Sequence, residues 1–244
     1  MKTSSEVVVS AFVSMRADRY LGDSFMSTTP FIVDDSVGDS RASLWFAAPA
    51  SFVELPMEAF LVAPDSNESG ALFAALIPLV EAIPAGVSRQ QLIGQIAGAQ
   101  QLFLALNEVG TVHCSLGVHR DDAEGGDGRI LVSMLTVSWR DIAWSPRAVS
   151  AARAVATAEG HTHIEYLELP CGPASISETI RTPADNPRLP REPLLQVCVH
   201  LPFPDGKRMA IFVLSTTAVH RREQYRAILQ QIAQLVSFEN PLPG

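Results

Sequence analysis

Three groups of residues carry side chains able to do chemistry. His113, Cys114 and His119 crowd one segment, His161 and His163 sit two apart, and Cys171 lies in the stretch Pro170-Cys171-Gly172-Pro173. Imidazole and thiol at short spacing are what a zinc site or a nucleophilic cysteine demands: several nitrogen or sulfur ligands around one ion, or a thiolate beside a base that lowers its pKa. The first group fails on geometry. On an extended strand His113 and His119 stand ~20 Å apart and Cys114 points to the opposite face, so no single ion joins them. His161 and His163, ~7 Å apart on a strand, share a face, but a zinc site needs a third ligand that the sequence does not place. The plainer role for this pair is a polar strand entrance. A reactive Cys171 needs a base such as His163 or His200 beside it, whereas Pro170, Gly172 and Pro173 demand only a tight reversal. The residues available for a polar pocket are therefore His161, His163 and Cys171. No catalytic, cofactor-binding or metal-ligating residue is assigned, and no cofactor is expected.

The run Asp121-Asp122-Ala123-Glu124-Gly125-Gly126-Asp127-Gly128 mixes acids with glycines. It leads into a strand pattern instead of a helix N-terminus and lacks Gly-Lys-Ser/Thr, so it is no phosphate cradle. The order of its acids does not match a calcium loop either, and it reads as a solvated hairpin tip. The chain has no Gly-x-Ser-x-Gly elbow, no zincin helix and no dinucleotide fingerprint.

The elements that position these residues follow from periodicity. Leu44 to Phe52 reads as a first strand, with a turn at Glu54-Leu55-Pro56. Glu68 to Ile77 reads as a short helix, and Ser88 with Gln91 opens a second that runs to Gly110. Strands over Thr111–Val118 and Arg129–Trp139 flank the acidic loop. Pro146, with Ser145 before it, opens an alanine-rich helix that stops at Gly160 and must lie close to a sheet. Strands follow at His163–Leu169, Ser175–Arg181, Leu194–Leu201 and Met209–Thr216, the last two joined by a Pro204-Asp205-Gly206 turn and preceded by a Pro-rich loop from Thr182 to Pro193. A closing helix over His220–Phe238 sets Tyr225, Ile228, Leu229, Ile232 and Leu235 on one stripe, with Gln230, Gln231 and Gln234 facing water. Strands joined by short turns are antiparallel, and the apolar run Met209 to Leu214 calls for cover on both faces. The expected fold is an α/β (α+β) class: an α/β/α sandwich on a largely antiparallel sheet of about six or seven strands. Residues 1–42 show no sustained period and read as a flexible N-terminal arm, with Met26 as an alternative start, before a single domain over 43–244.

Composition narrows the classes further. The chain is 47% hydrophobic and carries a formal net charge of −8, which repels nucleic acid and anionic lipid. Its only lysines are Lys2 and Lys207, a bias expected of a GC-rich bacterial genome. Three sparse cysteines, Cys114, Cys171 and Cys198, fit a reducing cytoplasm better than a disulfide framework. The apolar stretch Val7–Val13 is too short and poorly flanked for a secretory signal, and Ala71–Ile83 is too short to span a bilayer, so no membrane insertion is expected.

The segment Leu194 to Phe238, with its turn Pro202-Phe203-Pro204-Asp205-Gly206-Lys207-Arg208, its strand ending Leu214-Ser215-Thr216-Thr217 and its amphipathic last helix, resembles the C-terminal hairpin and helix of Mog1/PsbP-like proteins. The Leu169-Pro170-Cys171-Gly172-Pro173-Ala174 turn looks like part of the same pattern in bacterial members. The resemblance covers roughly the last 130 residues, and the long N-terminal part departs from the compact family pattern. It implies an antiparallel α/β/α fold and action by docking onto a larger protein, with no shared catalytic residue. The expected function is thus a non-catalytic protein-binding adaptor or accessory protein of a bacterial cytoplasmic system, a secretion-associated one included, with a protein partner or a homodimer. The alternative is a small-molecule-binding protein or hydrolase with a pocket between helices and sheet.

Overall fold

The computed structural model describes residues 31–33, 43–55, 110–121, 126, 130–156, 160–182 and 193–239. Their elements are β1 (Phe31–Val33), β2 (Ala47–Pro49), β3 (Phe52–Glu54), β4 (Thr111–Arg120), β5 (Ile130–Asp141), α1 (Arg147–Ala156), β6 (His161–Leu169), β7 (Gly172–Arg181), β8 (Leu194–Pro202), β9 (Arg208–Thr216) and α2 (Arg222–Gln234), with a 3-10 turn at Val219–Arg221. Seven strands form one sheet in the order β3-β4-β5-β9-β8-β7-β6, and β1 pairs with β2 apart from it. Every neighbouring pair is antiparallel. The chain meanders through β3, β4 and β5, crosses by way of α1 to the far edge, and meanders back through β6, β7 and β8. β9 then closes against β5 in a ladder running from Ser133↔Thr216 to Asp141↔Arg208.

The mixed α and β class and the antiparallel sheet are as the sequence predicts. Differences lie at the beginning of the described chain. The single strand expected over Leu44–Phe52 is divided: Trp45 makes a bridge with Ser237, Ala47–Pro49 pairs with β1, and β3 starts only at Phe52. β1 itself lies inside the stretch read as a flexible arm, and its register runs Phe31↔Pro49 to Val33↔Ala47. The helices expected over Glu68–Ile77 and from Ser88 onward, the acidic hairpin loop beyond Asp121 apart from Gly126, and most of the Thr182–Pro193 loop lie outside the described residues.

Strand parity assigns the two described helices to opposite faces. Ser175 Oγ donates to the Ala151 carbonyl of α1 at 2.8 Å, while Glu178, three residues along β7, meets Arg226 of α2. Residues three apart on a strand project to opposite sides. α1 packs on β7 and β8 through Ser150, Ala151 and Val155, small residues that let its backbone approach the sheet. α2 packs on β8 and β9. Its stripe is as expected at Tyr225, Leu229 and Ile232, which are fully buried, and at Leu235; Ile228 is half-buried. Gln230, Gln231 and Gln234 are half-buried too, not open to water. The helix begins at Arg222, after the 3-10 turn, and ends at Gln234, because the chain must turn inward for Ser237 and Trp45 to exchange backbone hydrogen bonds of 2.8 and 2.9 Å.

The core lies on the α2 side. Leu135 and Val137 of β5, Phe212 and Leu214 of β9, Val197 and Val199 of β8 and Ile176 of β7 are fully buried there with Tyr225, Leu229 and Ile232. Each such side chain contributes about 1.5–3 kcal/mol through apolar area removed from water. Gly117 of β4 permits one close approach, since a Cβ there would stand 2.8 Å from the Phe52 ring and 2.7 Å from Ser133 Oγ. β9 fulfils the demand of its apolar run, with Met209, Ala210, Ile211, Phe212 and Leu214 all buried between two neighbouring strands.

Two carboxylates are buried among these apolar groups. Glu178, 1% exposed, accepts hydrogen bonds from Arg226 Nε and Nη2 at 3.2 and 3.1 Å and from Thr162 Oγ1 at 3.2 Å. Asp121, at the end of β4, lies 2.7 Å from Arg221 and 3.3 Å from His220, fastening the far side of the sheet to the entrance of α2. Burial raises the Asp121 pKa, but the hydrogen bonds from His220 and Arg221 outweigh it and hold the carboxyl below its ordinary range. Removing one partner of such a pair leaves an uncompensated charge. Arg226→Ala is therefore expected to lower stability by about 3–5 kcal/mol in chemical denaturation, and Glu178→Gln added to it to recover part of that loss. A change under about 1 kcal/mol for Arg226→Ala would show that the pair is not a structural tie.

Candidate functional site

The structure does not gather the three residues marked for a pocket. β6 pairs with β7 as His163↔Glu178 and onward to Leu169↔Gly172, but His161 stands opposite Thr179, so a bulge falls at Thr162. An extra residue reverses the parity of what precedes it. His161 therefore projects to the α1 face with Thr179, and His163 to the α2 face with Glu178; the shared face expected for the pair is not formed. His163 Nε2 lies 3.6 Å from Glu165 Oε2, an ion pair only when the imidazole is protonated. Cys171 is at the other end of the hairpin, beyond the eight strand steps from His161 to Leu169, which span about 26 Å.

Cys171 belongs to a reversal locked by Arg147. The guanidinium of this first α1 residue donates through Nη2 to the Cys171 carbonyl at 2.6 Å and through Nε to the Pro202 carbonyl at 2.9 Å, and lies 5.8 Å from the Phe238 ring centroid. Gly172, at φ +124°, is where the guanidinium passes; a Cβ would come within 2.4 Å of Arg147 Nη1. The turn is thus a docking point for α1.

All three cysteines are free thiols. Burial drives the Cys114 pKa up to about 12 and that of Cys198 up to about 11, with Arg181 pulling the latter down, so both stay protonated near neutrality. Cys198 and His200 share the α1 face of β8, two residues apart. His200 is no base to activate this thiol, because burial first, then the charge of Arg140 and the nearness of His161, hold its pKa down to about 4 against a backbone hydrogen bond at Ser175. Among the described residues, no three His, Cys, Asp or Glu side chains converge as a metal-binding group.

What the structure does present is the outer edge of β6. Among the described residues this nine-residue strand has a neighbour only on its β7 side. Thr162, Ile164, Glu165, Tyr166 and Glu168 are exposed, with Ile164 at 52% and Tyr166 at 45%. Ile164 and Tyr166 face the α1 side, and the Tyr166 hydroxyl donates to the Ala148 carbonyl of α1. Exposed apolar side chains thus lie along a strand edge that has no ladder partner among the described residues. Sequence reasoning placed the strand but not its exposure. The available signal was weak: two glutamates and two large apolar residues in Ile164-Glu165-Tyr166-Leu167-Glu168 suit an edge better than a central strand.

Protonating a buried neutral imidazole costs stability. His200 is unprotonated in the folded state down to about pH 4, while its unfolded value is about 6.5, so the unfolded chain binds the proton first as pH falls. Folded-state stability from this group is fully present above about pH 6.5 and is lost progressively toward pH 4, about 2 kcal/mol of it by pH 5. His200→Gln is expected to lose that much less than the parent between pH 7 and pH 5 in urea titrations; parallel pH profiles would contradict a buried neutral His200.

Comparison of the chain with protein-family models, curated proteins and solved structures finds no match.

Proposed function

We propose that the chain is a non-catalytic protein-binding module, an adaptor or accessory protein, which holds its partner along the β6 edge. The observation that carries this reading is a nine-residue edge strand whose Ile164 and Tyr166 side chains are 52% and 45% exposed. Strand addition to such an edge supplies main-chain hydrogen bonds for affinity, and the flanking side chains supply selectivity. The resemblance of Leu194–Phe238 to Mog1/PsbP-like proteins, whose members act by docking, supports the same reading by analogy. So do thiols held protonated and an imidazole held neutral, which leave no activated nucleophile among them. The three free cysteines suit a bacterial cytoplasm. The alternative of a pocket between helices and sheet has no support from His161, His163 and Cys171, which do not converge.

A photo-crosslinking amino acid at Ile164 or Glu168 in the full chain, expressed in the native host, is expected to capture one protein reproducibly. The same probe at exposed Lys207, in the β8–β9 turn, should not. Equal capture at both places, or none at the edge, would remove the edge from consideration.

A further inference from the structure

We infer that the occupant of the β6 edge is an extended segment carrying two basic residues three apart, and not a second copy of this chain. The inference rests on the edge-docking reading and adds the chemistry of the partner. β6 reads His161-Thr162-His163-Ile164-Glu165-Tyr166-Leu167-Glu168-Leu169 and contains neither Lys nor Arg. Glu165 and Glu168 are both exposed, and by strand parity they stand on opposite faces, so the edge is acidic on both sides. Ile164 and Tyr166, on the same face as Glu168, make the apolar part between them.

A second copy cannot answer these charges. A two-fold pairing of β6 with itself sets each carboxylate, in any register, against another carboxylate, an apolar side chain, a hydroxyl or an imidazole that is cationic only when protonated. The register that pairs all nine residues puts Glu165 directly opposite Glu165, and like charges in that position are destabilising. Each chain also brings a net charge of −8 to the encounter. A basic strand reverses both effects: it is steered in by the acidic chain and pairs with its carboxylates across the ladder. Acids on an edge blunt association with like-charged edges while leaving it open to a basic one.

The register of the partner follows. In an antiparallel strand the residues facing Glu168, Tyr166, Glu165 and Ile164 occur in that order from N to C, giving the pattern basic, any, apolar, basic, apolar. The probe is the acetylated, amidated, fluorophore-labelled peptide Thr-Arg-Thr-Val-Arg-Val-Thr. It is compared by fluorescence anisotropy with a peptide bearing Glu for both Arg, and with the Arg peptide N-methylated at alternate amides on its pairing side, which keeps the charge and removes the donors. The full chain is expected to bind the Arg peptide and neither control. Glu165→Gln combined with Glu168→Gln should weaken binding about twofold to thirtyfold, through the loss of two exposed charge pairs. Equal binding of the Glu peptide, an unaffected double variant or no binding of either peptide overturns the basic-segment inference and leaves the edge reading to the crosslinking result. Undiminished binding of the N-methylated Arg peptide overturns both, because attraction would then need no strand pairing. Sedimentation of the chain as a dimer that Ile164→Lys dissolves overturns the inference while the edge keeps its docking role.

Discussion

The structure depends on the β5–β9 ladder. It joins two meanders that would otherwise be separate three- and four-stranded ribbons, each with an open side. The partners Ser133 and Thr216 are roughly eighty residues apart along the chain, so this contact is made at the expense of closing a long loop. The entropy of closure grows only with the logarithm of loop length, and burial of Leu135, Val137, Phe212 and Leu214 across this seam offsets it. Once β9 is fixed between β5 and β8, α2 follows directly from its end and has a finished apolar surface to cover. The described helix on that face covers an apolar surface that the ladder completes.

The same constraint creates the exposed edge. A chain that closes β9 against β5 after three further strands must first travel outward, and the crossover through α1 leaves β6, among the described residues, with a neighbour on one side alone. α1 is suited to this passage. Its Ser150, Ala151 and Val155 allow close contact with β7 and β8, and Arg147 at its start ties the β6–β7 reversal and the end of β8 together. The aromatic set at that end adds rigidity: Trp139, Phe203 and Phe238 stack edge to face at 5.6 and 5.1 Å, and Arg208 lies 4.2 Å from the Phe203 ring centroid. One end of the β6–β7 hairpin is thereby fixed.

Local signals in the sequence carried much of this. Pro204-Asp205-Gly206 specifies its hairpin because Asp205 Oδ1 accepts from the Lys207 and Arg208 amides at 2.7 and 3.1 Å, an interaction readable from residue type and spacing. Tyr225, Leu229 and Ile232 follow from helical period. The fate of His161 and His163 was not legible, because alternation assumes an uninterrupted strand and the single bulge at Thr162 reverses one imidazole. Strand order was not legible either. Whether β6 is central or peripheral is decided by the non-local closure of β9, and nothing within its nine residues encodes that choice beyond a surplus of glutamate.

Charge distribution carries the last step. In the interior, ionisable groups are silenced in one of two ways. Cys114, Cys198 and His200 are kept neutral by desolvation, whereas Glu178 takes Arg226 and Asp121 takes Arg221 as a partner. Groups so treated have little left to offer a substrate, since activating any of them means undoing what holds the fold. On β6 the carboxylate of Glu165 lies 3.6 Å from His163, and Glu165 and Glu168 are both exposed. Exposed charge, exposed apolar surface and a strand edge without a partner among the described residues thus coincide on β6, the combination that the proposed strand addition would use.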